Sequence, residues 1–145
     1  MREEAGTRML HTHVAALDWV EVSGYPAQLQ QVLRVKRPVG ASTSGIPHDE
    51  AHLWYIELDA GATYPWHRHA EPEVYYVVSG EAECSIGEET FIARAGTVMH
   101  TPPNTPHRLR NIGSTVFVAL SFCWAPGGRV EVLHGPSELL EPVSD

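Results

Sequence analysis

The stretch that decides the fold is Gly61-Ala62-Thr63-Tyr64-Pro65-Trp66-His67-Arg68-His69-Ala70-Glu71-Pro72-Glu73, running on through Val74-Tyr75-Tyr76-Val77-Val78-Ser79 to Gly80. Side chains two apart on a strand point to the same face, so His67 and His69 can present two imidazoles to one point. Glu73 follows after the short connection Ala70-Glu71-Pro72 and can bring a carboxylate to that point from the neighbouring strand. A fourth candidate, His107, opens another strand after the turn Thr101-Pro102-Pro103-Asn104-Thr105-Pro106. Three imidazoles and one carboxylate suit a first-row divalent metal and leave coordination positions open.

Outward from this stretch, strand signals dominate. Short runs rich in Val, Ile, Thr, Tyr and Phe occupy Val32–Val35, His52–Leu58, Val74–Ser79, Ala82–Ile86, Glu89–Ala93, Thr97–Thr101, His107–Asn111, Val116–Phe122 and Val130–Leu133. Turns such as Ser79-Gly80-Glu81, Ile86-Gly87-Glu88, Ala95-Gly96 and Ile112-Gly113-Ser114 separate them. Such spacing predicts an all-β sandwich or barrel. Helical pieces are expected only near Tyr25–Gln31 and Ser137–Glu141. The polar segment Arg37–Glu50 reads as a long loop, either a functional flap or a mobile connection. Both ends of the chain read as tails unless a partner chain orders them.

The central stretch resembles the first cupin motif, Gly-x5-His-x-His-x3-Glu-x6-Gly, at Gly61, His67, His69, Glu73 and Gly80. The second cupin motif, Gly-x5-Pro-x-Gly-x2-His-x3-Asn, is met by Gly96, Pro102, His107 and Asn111, with Asn104 where the family has Gly. Asn is the residue best able to replace Gly at positive φ, so the turn is expected to survive. The resemblance covers about Val32 to Leu133 and leaves terminal extensions on a single domain, residues 1–145. It implies a double-stranded β-helix (jelly-roll) barrel, a homodimer, and one divalent transition metal (Fe, Mn, Ni, Co, Cu or Zn) held by His67, His69, Glu73 and His107. Taken singly, strand histidines and a nearby Glu are solvent-facing polar positions; four residues at family spacing outweigh that reading.

Strand alternation from Glu73 puts Tyr75 and Val77 inside, and Val74 and Tyr76 outside. A phenol beside a divalent cation can serve as a general base; an aromatic core filler is the plain alternative. Trp54, Tyr64, Trp66, Phe122 and Trp124 are candidates for an apolar pocket, although most aromatics in a small barrel are core. His100 reads as a partly buried pocket or core residue sharing a face with Val98. Arg68, Arg108 and Arg110 should point away from the metal. His48 and His52 fit either the pocket mouth or a solvated loop, and His11, His13 and His134 read as tail or surface.

The run Glu73-Val74-Tyr75, the turn Asn104–His107 and the closing Phe122-Cys123-Trp124-Ala125-Pro126 with Val130-Glu131-Val132 are loosely similar to the small cupin lyases that cleave dimethylsulfoniopropionate, in which the matching tyrosine is implicated as base. That likeness implies a lyase or isomerase-type enzyme acting on a small oxygenated metabolite, with Tyr75 as base. An Fe(II)-dependent dioxygenase and a non-catalytic small-molecule-binding cupin are the alternatives.

Composition narrows the partners. The chain has 145 residues and a formal net charge of −8, from 10 Lys and Arg against 18 Asp and Glu, which opposes binding to nucleic acid or anionic membranes. Two cysteines, Cys84 and Cys123, do not make a disulfide scaffold and read as buried free thiols. With no apolar stretch approaching the ~20 residues of a membrane span and no secretory signal pattern, a cytoplasmic protein is expected. Nine histidines in so short a chain set the question of what uses imidazole.

Overall fold

Alternating apolar and polar positions, broken by glycine turns, leave most segments able to bury one face only, and pairing into two sheets satisfies them. A computed structural model describes residues 9–41, 45–125 and 137–143. Among the described residues, a 3-10 turn, Val14–Ala16, and a short helix α1, Ala27–Val32, precede the strands. These are β1 Leu33–Gly40, β2 Ile46–Pro47, β3 Ala51–Leu58, β4 Thr63–Arg68, β5 Glu73–Ser79, β6 Glu81–Ile86, β7 Glu89–Arg94, β8 Val98–Thr101, β9 His107–Asn111, β10 Phe117–Trp124 and β11 Glu138–Leu139.

One sheet has the order β2-β1-β3-β10-β5-β8 and the other β11-β4-β9-β6-β7. Every pairing between these strands is antiparallel except β1 with β2. Inward side chains of both sheets make the core, among them Leu33, Val35, Ile56, Leu58, Val77, Leu109 and Phe117. The expected all-β jelly-roll architecture is therefore observed.

Three local expectations are corrected. The segment Ser137–Glu141 is not helical: Glu138 and Leu139 pair with Arg68 and His67, because the exposed edge of β4 offers unpaired backbone groups. Residues 137–143 are held by this chain itself, with Val143 packed against the core. The loop Arg37–Glu50 begins and continues as strand, since β1 runs to Gly40 and Ile46–Pro47 pairs alongside it. The strand expected at Val130–Leu133, and His134, lie outside the described residues.

Two backbone positions tie the strands to the site. Asn104 has φ 59°, the left-handed conformation expected where the motif carries Gly, and its N–H donates to the His69 carbonyl at 2.7 Å. Gly80 has φ 90°, and a Cβ there would lie 2.8 Å from Phe117 Cα, so the turn from β5 to β6 admits only glycine.

Candidate metal centre

The site forms where the sheets face each other at one end of the barrel. Strand β4 brings His67, and His69 follows just beyond its end. Register between β4 and β9 slips between Tyr64 and His67, at Pro65, which has no N–H to give to the ladder. The bulge lets Tyr64 and His67, three apart, both turn inward and stack, their ring centroids 3.9 Å apart and 8° from parallel. Beyond the bulge His67 pairs with His107 of β9, and those rings lie 3.9 Å apart. From the other sheet, β5 contributes Glu73.

His69, Glu73 and His107 form a candidate metal-binding group: one potential ligand atom from each lies within 4.8 Å of the others. Glu73 Oε1 is 3.0 Å from His69 Nε2, 3.3 Å from His107 Nε2 and accepts from Thr101 Oγ1 at 3.3 Å, while Ser121 donates to Oε2. His67 lies beside this trio, its ring 6.3 Å from that of His69. All four residues are buried.

Each imidazole is anchored through Nδ1 on a backbone carbonyl: Pro65 at 2.7 Å for His67, Glu71 at 3.0 Å for His69 and Thr105 at 2.9 Å for His107. A ring that donates from Nδ1 keeps its electron pair on Nε2. Nε2 of His67 and of His107 is buried without a well-aligned hydrogen bond, although a carboxylate oxygen stands 3.3 Å from the latter. An orphaned buried nitrogen costs about 1–3 kcal/mol. Two such atoms beside a carboxylate and a third imidazole are a donor set suited to a first-row dication.

Electrostatics follow from burial. Burial first, then the neighbouring His107, hold His67 well below the ordinary imidazole range. Burial opposes charge on His69 too, but the carboxylates of Glu71 and Glu73 outweigh it and raise the ring to about 10. Burial likewise opposes ionisation of Glu73, and hydrogen bonds from His107 and His69 reverse this, keeping the carboxyl well below its usual range. For Tyr75, burial and then the Glu73 charge push the phenol well above its ordinary value.

A cavity of about 10 Å³, room for roughly one ion or water, is lined by His52, Trp54, Ile56, Tyr64, His69, Glu73, Tyr75, Cys123 and Ser137. Of the aromatic pocket candidates, Trp54 and Tyr64 line it. Trp66, Phe122 and Trp124 do not: Trp66 lies in the bulge away from it, and Phe122 stacks on Trp124 at 5.5 Å and is exposed. His100 does share a face with Val98, but that face meets solvent, whereas Met99 and Thr101 turn inward. Tyr75 and Val77 are inside and Tyr76 outside, as alternation requires. Arg68, Arg108 and Arg110 point outward to Glu138, Glu141 and Glu83. His48 lies in an exposed loop, accepting backbone N–H groups from Glu50 and Ala51, while His52 reaches the cavity. Both cysteines are free and buried. A larger open groove of about 670 Å³, near Trp19, Tyr25, Gln30 and Arg34, contains none of the metal-site candidates.

Three participants escape the sequence reading. Ser121 and Cys123 come in from β10 by strand pairing and carry no motif. Glu71 lies in the variable gap of the first motif, and only its spacing of two from Glu73 hints that both acids face inward.

Residues 54–123 match the family described as "Cupin domain". An uncharacterized protein of Streptomyces coelicolor is 38% identical over 65 residues, 45% of this chain and 62% of that protein. Among solved structures, the DMSP lyase DddQ of Ruegeria pomeroyi superposes with a TM-score of 0.74 at 22% identity, covering 90% of this chain and 64% of that one. The polyketide cyclase RemF of Streptomyces resistomycificus gives 0.71 at 16% identity, covering 94% and 89%. At these identities the structural likenesses speak for the fold. With its two motifs, its barrel and the matched segment, the chain carries a cupin-domain match over residues 54–123 and has a cupin-type fold.

Proposed function

We propose that the protein is a single-domain, metal-dependent cupin enzyme that performs a lyase or isomerase-type reaction on a small oxygenated metabolite. The metal is one divalent transition ion held by His67, His69, Glu73 and His107, and Tyr75 is the general base. The observation that carries this reading is the placement of Tyr75: fully buried, facing inward one position pair along β5 from Glu73, with its ring 6.3 Å from that of His107.

When bound, the cation supplies a field that polarises a substrate carboxylate or carbonyl and eases loss of a neighbouring phenol's proton. With its own proton released to solvent as the rim opens, the Tyr75 oxygen takes a proton from the carbon next to that group. The released electron pair forms the new double bond, and in a lyase the β-substituent departs with its bonding electrons. His52, Trp54 and Ile56 line the same cavity and keep bulk water from the base. So small a cavity admits substrate only when its rim moves.

Likeness in fold to a DMSP lyase makes dimethylsulfoniopropionate the first compound to assay, followed by other small carboxylates. Elemental analysis of the purified protein, with turnover and oxygen consumption measured across that panel, tests the reading. Tyr75→Phe is expected to abolish turnover, by about 10²-fold or more, with metal content intact; unchanged turnover removes the base role, and oxygen consumption in step with turnover replaces it by a dioxygenase.

We also propose a cytoplasmic homodimer. Two buried free thiols suit a reducing compartment. An apolar strip on the outer face of β5, β8 and β10, formed by Tyr76, Val78, Val98 and Phe122, supports a second copy as partner. No helix among the described residues is long and apolar enough to cross a membrane.

A further inference from the structure

The three site imidazoles share one device, an Nδ1 proton given to a nearby carbonyl, yet His69 has an additional partner. Glu71 offers its carboxylate as well as its carbonyl, with Oε1 3.1 Å from the same Nδ1. The Glu71 side chain has no solvent exposure. An ionised carboxylate is placed out of water only at considerable cost, so its position calls for a charge to answer it. Glu73, two residues on, is buried as well. Together the two acids place two carboxyl groups in one small volume beside the imidazoles.

The geometry points to Glu71 as a positioning residue for the metal centre, its buried carboxylate fixing the His69 ring through Nδ1 so that Nε2 is held as an electron-rich ligand atom. Glu71 itself stays one shell away from the ion. A carboxylate behind a ligating histidine sets its tautomer, stops its rotation and raises its basicity. His67 and His107, held by carbonyls alone, receive orientation without the added charge. The site is thereby graded, with His69 the strongest imidazole donor. This assignment rests on the metal reading above.

The experiment compares the full-length wild type with Glu71→Gln, Glu71→Asp and His107→Ala. Zn²⁺ affinity is measured by competition with a chromophoric chelator, and the melting temperature of each metal-free protein is recorded. Glu71→Gln keeps the size and an oxygen able to accept from Nδ1 but removes the charge. It is expected to weaken Zn²⁺ binding about 10–100-fold without shifting the metal-free melting temperature, and Glu71→Asp should restore part of the loss. Affinity within about threefold of wild type in Glu71→Gln overturns the assignment.

A second readout needs no variant. In the Zn²⁺-loaded wild type, long-range proton–nitrogen spectra should give the His69 ring a more imidazolate-like nitrogen shift than His67 and His107; three equivalent rings overturn the assignment. A wild type that binds no Zn²⁺, indistinguishable from His107→Ala, removes the metal reading itself. A wild type that binds while Glu71→Gln binds equally well removes the Glu71 role alone.

Discussion

Asn104 shows how one residue positions chemistry it does not perform. Its left-handed backbone closes the turn before His107, and its N–H holds the carbonyl of His69. Replacing Asn104 with Ala keeps the chain length but puts an ordinary Cβ residue at φ 59°, a strain of about 1–2 kcal/mol. Chemical denaturation of Asn104→Ala is therefore expected to show a loss of that size, and Asn104→Gly should stay within about 0.5 kcal/mol of wild type. At this scale the sequence was most readable: the family motif has Gly here, and Asn is the substitute that a positive φ tolerates. Tyr75 was readable for the same reason, because a period of two along β5 leaves no choice of face. His100 misled because alternation says which residues share a face but not which face meets water. Glu71 was hidden because its place in the motif is unconstrained, and its partner is fixed by a three-dimensional contact.

Among the elements, β4 and β11 carry the lesson. A strand of strict alternation would place Tyr64 and His67 on opposite faces; the bulge at Pro65 brings them together. Proline in the quoted stretch signals that break, although the slip in register depends on the β9 partner. β11 was unreadable, since two residues cannot show a period, and its conformation is imposed by the edge it joins. Its anchor is Glu141, which accepts from the Trp66 N–H at 2.9 Å and pairs with Arg108 at 3.3 Å. The ion pair is about a third exposed and contributes a few tenths of a kcal/mol; the hydrogen bond contributes about 1 kcal/mol. Glu141→Ala should lower unfolding free energy by about 1 kcal/mol. Hydrogen exchange should locate the loosening at Trp66 and Leu140, and protection equal to wild type there would exclude the anchoring role.

At the scale of the molecule, the strand runs and glycine turns announced a barrel, while the order of strands in each sheet required the structure. The outer apolar strip has the same origin as the core: β5, β8 and β10 alternate apolar residues on both faces, so pairing within the sheet cannot cover both. Light scattering on the purified chain is expected to give the mass of two copies, and Val98→Asp, at the most exposed position of the strip, should yield monomers with the fold retained. A wild-type monomer would leave the strip without its proposed partner.

The candidate ligands are divided between the sheets, His67 and His107 on β4 and β9, with His69 just after β4, and Glu73 on β5. An ion joining them would be a cross-link between the two sheets. It closes chain loops as a disulfide does, but reversibly, and chelation would cut it. Metal supply would then govern how long the folded chain survives proteases as well as whether it turns over substrate, so loss of the ion would mark a molecule for both silence and removal.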